Sequence, residues 1–127
     1  MKQLRFQRNS FEAQIKFVLF QTILLNTATS QGKIESYQLQ DDNQLHKVQE
    51  ITLSPSSAKE NLVLSIDNDP QSSKVLASDS LGNISLVDLE GTPKVLRQWN
   101  AHSLEAWTTS FDKFNKHLIY SGAMGST

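Results

Sequence analysis

The chain has 127 residues, of which 38% are hydrophobic and 20% are charged, with a net charge of −1. This composition allows a packed core of about one domain, and the scattered basic residues argue against a nucleic-acid groove, which needs clustered Lys and Arg. Because the chain contains no Cys, disulfides, thiol nucleophiles and thiolate zinc sites are excluded.

The first segment of the chain allows three interpretations. Residues 1–16 hold four basic side chains against one acidic one, and the apolar run FVLFQTILL follows at 17–25. A basic start, a short apolar run and small residues up to Ser30 are typical of a secretory signal, which would make the protein secreted. A buried strand is the alternative that the rest of the sequence favours, and the spacing of Phe11, Ile15, Val18 and Leu19 also allows a helix over 8–20. An organelle leader is the third, and the apolar run is too short to span a bilayer.

Two segments with the same pattern predict two β-hairpins. ILLNTATSQGKIESYQL at 23–39 and KVLASDSLGNISLVDL at 74–89 align with an offset of 50, which places Gly32 on Gly82. Each reads as an apolar strand, a small polar turn with Gly, and a strand of alternating polarity. LIYSGAMGST at 118–127 begins a third copy. An offset of 43 places Ile119 on Leu76, Ser121 on Ser78 and Gly125 on Gly82.

The segments between the hairpins also repeat. NLVLSID at 61–67 precedes AWTTSFD at 106–112 by 45 residues, and strand-like stretches occur at 46–53 and 94–99. Each unit therefore contains four predicted strands in about 40–45 residues, which is typical of a WD-repeat propeller blade. We predict an all-β fold, a partial WD40 β-propeller of about two blades and the start of a third.

The predicted organisation has three parts. Residues 1–20 form a leader or a first strand or helix, residues 21–122 form the blades, and residues 123–127 form a divergent end. Propellers close with about 4–8 blades, so the remaining blades are missing and this chain reads as a truncated form. Uncovered apolar faces and an open strand edge predict association or poor solubility.

One continuous run resembles a known family. The residues of WNAHSLEAWTTSFDKFNKHLIYSG at 99–122 that carry this likeness are Trp99, Ala101, His102, Glu105, Ala106, Trp107, Tyr120, Ser121 and Gly122. From about residue 45 to 122 the chain resembles the WD-repeat family of diphthamide synthesis, the diphthine methyl ester hydrolases. The family continues after Y-S-G with Gly and two acidic residues, whereas Ala123, Met124 and Gly125 follow here.

The resemblance implies a function. It implies a carboxylic ester hydrolase that removes the methyl group of diphthine on translation elongation factor 2, in the cytoplasm and with no organic cofactor. It implies elongation factor 2 as partner, with no nucleic acid and no membrane. Because most of the ring is missing, we expect this chain to be inactive alone. The alternative is a non-catalytic WD-repeat scaffold that binds proteins, since propellers often serve as interaction platforms.

Four residues are candidates for the site. His102 is the natural base, because its ordinary pKa of about 6.5 permits proton exchange near neutrality. Glu105 is positioned to orient that base or to hold an attacking water. Trp107 and Asp79 are the candidates for binding substrate. The structural alternatives are a hydrogen bond from His102 that ties a strand to the inner turn, a solvent-facing Glu105, a packing role for Trp107, and a turn role for Asp79.

Other combinations have less support. Ser103 and Asp112 complete a Ser-His-Asp set with His102 on paper, but triads are defined by geometry, and no G-x-S-x-G elbow is present. The three histidines show no spacing typical of a metal site, so no metal is expected. Trp99 and Ser78 read as packing and turn residues.

Overall fold

The computed structural model describes residues 24–53, 60–115 and 117–123, and these residues form β-strands without any helix. The strands form antiparallel sheets of three, four and two members, in the orders β1-β2-β3, β4-β5-β6-β7 and β8-β9. We call these sheets blade 1, blade 2 and blade 3. The nine strands are β1 (Leu25–Ala28), β2 (Lys33–Leu39), β3 (Leu45–Thr52), β4 (Val63–Asn68), β5 (Lys74–Asp79), β6 (Asn83–Asp88), β7 (Lys94–Asn100), β8 (Ala106–Phe111) and β9 (Ile119–Ala123).

The predicted fold class is confirmed, because the described chain is all-β and forms a partial propeller. Blade 2 has the four strands in sequence order that the repeat predicted. β4 and β5 both pack beside β8 of the following sheet, and β1 packs beside β4. The sheets are therefore stacked face to face and are not closed into a barrel, which is the arrangement of neighbouring propeller blades.

The inner hairpin turns of blades 1 and 2 are built by the same hydrogen bonds. The Thr29 hydroxyl oxygen accepts hydrogen bonds from the amides of Gln31 and Lys33, at 3.2 Å each. In blade 2 the Asp79 carboxylate accepts hydrogen bonds from the amides of Leu81 and Asn83, at 3.0 and 2.9 Å. Gly32 and Gly82 close these turns with φ of 77° and 87°, values that glycine adopts without strain. The predicted equivalence of the two hairpins is confirmed.

Blade 2 is buried on both faces, and its sequence explains why. Residues 75–79 of β5 are all buried, so this strand lacks the usual alternation of buried and exposed residues. One face joins a cluster with blade 1 that contains Ile34, Leu53, Val63, Val75, Ala77, Val87 and Leu89. The other face contributes Leu76 and Ile84 to a cluster with Ala106 of blade 3. Only stacking of the sheets buries both sets.

Two glutamines connect blades 1 and 2 reciprocally. Gln49 on β3 donates to the backbone carbonyl of Leu89 at 3.2 Å. Gln98 on β7 donates to the carbonyl of Leu53 at 2.8 Å and to Ser85 Oγ at 2.7 Å. Because these bonds run in both directions across the interface, they fix the spacing of the two sheets as well as satisfying polar groups.

The alignment predicted for the third unit is wrong by one or two residues. Asn68 pairs with Val75 as the last pair before the turn in blade 2, and Phe111 pairs with Ile119 at the same place in blade 3. Ile119 is therefore equivalent to Val75, and the predicted match with Leu76 puts it on the opposite face. Six residues separate the last pair in blade 2 and seven separate it in blade 3, so one extra residue in the β8–β9 turn shifts the alignment, while both blades share an irregularity at the other end of the strand pair.

Some predictions lie outside the described residues. The leader, strand or helix predicted for residues 1–20 is one, and most of the divergent end at 123–127 is another. Within the described ranges, no helix is both long and apolar enough to cross a membrane.

Candidate functional site

The candidate site is centred on the connection between β7 and β8, residues 101–105. The backbone amides of Ala101 and His102 both donate to the carbonyl oxygen of Gly82, at 2.9 and 3.1 Å. The connection passes so close to the inner turn of blade 2 that a Cβ on Gly82 would overlap His102 O and lie 2.7 Å from Leu104 O. Position 82 therefore requires glycine for two reasons, the positive φ and the close approach of the 101–105 connection.

The His102 side chain reaches β9. Its Nε2 lies 2.9 Å from Ser121 Oγ, across 19 positions of sequence. His102 is partly buried, whereas Ser121 is exposed, so the hydroxyl is open to solvent. A hydroxyl at hydrogen-bond distance from an imidazole is the arrangement of a nucleophile and its base, and it also ties the 101–105 connection to blade 3. The sequence identified Ser121 as part of a family motif, but not as the partner of His102.

Glu105 ends the 101–105 connection and Trp107 lies at the start of β8, and both are exposed. Glu105 is exposed and has no ion pair or hydrogen bond among the residues that the structure describes. Trp107 is the second residue of β8 and is 50% exposed. The structure thus leaves a carboxylate and an indole ring accessible within two residues of each other in sequence.

Asp79 is not accessible. Its side chain is 1% exposed. Besides the two turn amides, Oδ2 accepts from Asn61 Nδ2 at 2.9 Å and from Asn83 Nδ2 at 3.3 Å. Four donors satisfy a carboxylate in the way a buried charge requires. This geometry favours the turn role for Asp79 over the predicted contact with substrate.

The Ser-His-Asp set that can be written from the sequence is not assembled. Asp112 follows the far end of the six-residue strand β8, about 20 Å from the 101–105 connection at about 3.3 Å per residue. There Asp112 Oδ1 accepts from the Tyr120 hydroxyl at 2.8 Å. That bond, with the amides of Phe114 and Asn115, lowers the pKa of Asp112, and the same carboxylate raises the pKa of Tyr120.

Trp99 and Ser78, which the sequence analysis assigned to packing and to a turn, lie in surroundings that favour structural roles. Arg97 stacks over the Trp99 ring, with 5.8 Å from Cζ to the ring centroid. Both lie on β7, the outermost strand of blade 2, whose residues are all exposed. Ser78 is fully buried, and its hydroxyl has no hydrogen-bond partner among the described residues. Ser78 and Trp99 therefore contribute no accessible reactive group to the candidate site.

A second concave surface lies at the opposite end of the sheets, between the β4–β5 and β8–β9 turns. It is an open groove of about 940 Å³. Its carboxylates already serve the local backbone: Asp67 accepts the Phe111 amide at 2.8 Å, and Asp112 accepts the amides of its own turn. The described residues contain no group of His, Asp and Glu that would hold a metal ion. Asp67 and Asp112 of this groove are therefore occupied by hydrogen bonds to the backbone.

Comparison with known proteins supports the family resemblance. No family model matches the chain. The chain is similar to proteins named diphthine methyltransferase, with 28% identity over 99 residues for the Schizosaccharomyces pombe protein, 28% over 110 for the human protein and 31% over 114 for the mouse protein. The matches include 78–79% of this chain but 29%, 24% and 23% of those relatives, respectively. The resemblance predicted from the sequence is confirmed, and the chain spans about a quarter of the length of the curated relatives it matches.

Proposed function

We propose that this chain is the part of a diphthine-modifying protein that carries one edge of its active site, and that the reaction is hydrolysis of the methyl ester of diphthine on elongation factor 2. The supporting observation is the combination of the similarity to relatives named for diphthine with a His102–Ser121 pair whose hydroxyl is exposed to solvent. Neither observation alone would suffice. Diphthine is named only by the relatives, and a His–Ser contact occurs in many structural networks.

The chemistry assigns separate tasks to the side chains. In the simplest route, His102 takes a proton from water as the water oxygen attacks the ester carbonyl carbon. The tetrahedral intermediate then collapses, the bond to the methoxy oxygen breaks, and the proton passes to that oxygen, so that methanol leaves and a carboxylate remains. Glu105 helps to position the water or the imidazole, and Trp107 contacts the substrate.

Ser121 offers a second route through the same base. Its hydroxyl attacks the ester carbonyl after His102 removes the proton, methanol leaves, and water then cleaves the acyl-serine. The 2.9 Å contact supports this route, although no group among the described residues orients the second ring nitrogen of His102. The two routes share the base and differ in whether Ser121 is essential.

The test needs the length that the relatives have. We would replace the matching quarter of the Schizosaccharomyces pombe relative with residues 24–123 of this chain, and incubate the chimera with methylated diphthine on elongation factor 2. Release of methanol is expected. Transfer of a labelled methyl group from S-adenosylmethionine, without methanol, would instead identify a methyltransferase, the activity in the relatives' name. Absence of both products, in a chimera that remains folded, would count against catalysis.

Variants separate chemistry from structure. His102→Ala should abolish methanol release, and Ser121→Ala should do so only if the acyl-serine route operates. Ser103→Ala is the matched control, because it removes a neighbouring exposed hydroxyl that has no assigned task. Melting temperatures are measured in parallel. A loss of activity that follows the loss of stability in every variant would assign His102 and Ser121 to structure.

The second candidate function is a non-catalytic scaffold. It is favoured by the burial of Asp79 and by the backbone bonds of the 101–105 connection, which account for two site elements without any reaction. A cross-linking experiment with elongation factor 2 distinguishes it, since a scaffold captures a partner without consuming ester. We further propose that the 127-residue chain alone releases no methanol. We also propose that it acts in the cytoplasm. Cell fractionation tests the location, and secretion of the protein would be the opposing result.

A further inference from the structure

The first strands of blades 2 and 3, β4 and β8, begin in the same way but with different side chains. Each strand pairs its first residue and then skips one at an irregularity, and the skipped residue is Leu64 in β4 and Trp107 in β8. The residue before each strand is Leu62 in blade 2 and Glu105 in blade 3. Blade 3 therefore presents an indole ring and a carboxylate where blade 2 presents two leucines.

Blade 2 shows that stacking of neighbouring blades leaves these positions accessible. It is packed between blades 1 and 3, yet Leu62 is 36% exposed and Leu64 is only half-buried. The equivalent residues of blade 3 are an exposed Glu105 and a Trp107 that is 50% exposed. Because two neighbouring sheets do not bury the positions in blade 2, the accessibility of Glu105 and Trp107 follows from their place at the start of the strand.

The two starts lie beside each other. The Thr109 amide donates to Ser65 Oγ at 3.4 Å, and the Phe111 amide donates to Asp67 at 2.8 Å, both across 44 positions of sequence. A constant offset means that β4 and β8 run side by side in the same direction, so their first residues lie at the same level. We call the surface that they share the inner rim, and it consists of Leu62, Leu64, Glu105 and Trp107.

The inner rim has the composition of a site for a quaternary ammonium group. Indole is the ring that attracts such a cation most strongly, a carboxylate supplies the opposite charge, and leucine side chains contact the methyl groups. Glu105 has no ion pair among the described residues, and residues 60–65 and 100–110 contain no Lys or Arg that would compete for it. The Trp99 ring, by contrast, already stacks with Arg97.

We propose that the inner rim binds the trimethylammonium group of diphthine, an inference that rests on the proposed function. In diphthine methyl ester this nitrogen and the ester carbonyl are attached to the same carbon atom, so a site for the cation lies beside the reacting group. Glu105 follows His102 by three positions on the 101–105 connection, which allows one small substrate group to reach both. Glu105 therefore faces the cation and still lies near the attacking water.

The experiment measures binding without turnover. Betaine methyl ester carries the same trimethylammonium and methyl ester groups, and methyl 3,3-dimethylbutanoate has the same shape without the charge. Each compound is titrated into the 127-residue chain, and the indole N–H signals of its two Trp residues are followed by NMR. Betaine methyl ester should shift the Trp107 signal and leave the Trp99 signal in place. The neutral ester should bind at least about threefold more weakly, because it lacks the attraction between cation and ring.

Three variants decide the interpretation. Trp107→Leu, which introduces the residue of blade 2, should remove the preference for the charged ester, and Glu105→Gln should weaken its binding about two- to fivefold. Trp99→Phe is the matched control and should bind like the parent chain. Equal affinity for the two esters, or unchanged selectivity in a folded Trp107→Leu variant, would overturn the proposal.

The outcomes for the inner rim and for the proposed function are distinguishable. Selective binding by the chain, together with a folded chimera that releases no methanol, would support the inner rim and count against hydrolysis. Methanol release by a Trp107→Leu chimera with an unchanged KM for methylated elongation factor 2 would support hydrolysis and overturn the inner rim as the site of the cation.

Discussion

Replacing Gly82 by Ala tests the central contact of the candidate site. The substitution forces a side chain into a residue with φ of 87° and places its Cβ against the carbonyl oxygens of the 101–105 connection. Gly91→Ala is the matched control, because Gly91 also has positive φ, 66°, but nothing lies within 4 Å of the added Cβ. The two variants thus share the conformational strain and differ in the steric overlap.

The magnitudes follow from these two terms. Left-handed backbone costs about 1–2 kcal/mol for a residue with a Cβ, and this is the whole expected loss for Gly91→Ala. At Gly82 the connection must also move away, which breaks two backbone hydrogen bonds worth about 0.5–1.5 kcal/mol each. Gly82→Ala should therefore lose about 2–5 kcal/mol. That is a large part of the stability of a typical domain, which is about 5–15 kcal/mol.

Urea denaturation followed by tryptophan fluorescence measures the difference, and Trp107 reports directly on the start of β8. A larger loss for Gly82→Ala than for Gly91→Ala, by about 1 kcal/mol or more, is expected from the two broken hydrogen bonds. Equal losses would refute the reasoning, since they would mean that the 101–105 connection does not enclose the turn. The His102–Ser121 contact would then lose its structural support as well.

Three further predictions concern single side chains. Ser78→Ala should leave the free energy of unfolding unchanged or raise it, whereas Ser85→Ala, which removes a bonded hydroxyl, should cost about 1 kcal/mol; equal costs would contradict the assignment. Asp79→Ala should lose on the order of 3 kcal/mol because four donors lose their acceptor, and an unchanged melting temperature would argue against burial. The lowered pKa of Asp112 stabilises the fold above pH 3.8, and this contribution is lost as the pH falls through the folded-state pKa. Tyr120→Phe should raise the pKa of Asp112 and flatten the acid dependence of the urea midpoint. An unaltered carbon-13 titration of the Asp112 carboxyl in this variant would contradict the prediction.

The hairpins could be predicted from the sequence, whereas their exact equivalence in the third unit could not. Gly32 and Gly82 mark turns through local backbone requirements, and alternation of polarity marks the flanking strands, so both signals lie within a few residues. The β8–β9 turn is one residue longer than the β4–β5 turn, and no local signal marks the extra residue. This insertion moves Ile119 by one position.

The site was only partly predictable for a related reason. His102 was identified by its residue type and motif, but its partner Ser121 lies on another strand, and only the folded sheet brings the two together. Asp79 was placed near the inner turn correctly, but the sequence could not show that Asn61 and Asn83 consume its remaining acceptor capacity. Whether a carboxylate is accessible depends on packing, which composition does not encode.

The two-sided burial of blade 2 has a consequence for how the molecule opens. Amide protons of β5 should exchange with deuterated solvent last, because breaking their ladder requires both flanking sheets to detach. β3 and β7, whose outer edges face water, should exchange early. Fluctuations would then begin at the periphery and leave the hairpin around Gly82 intact, so that the His102 connection stays anchored to the slowest-opening element of the chain.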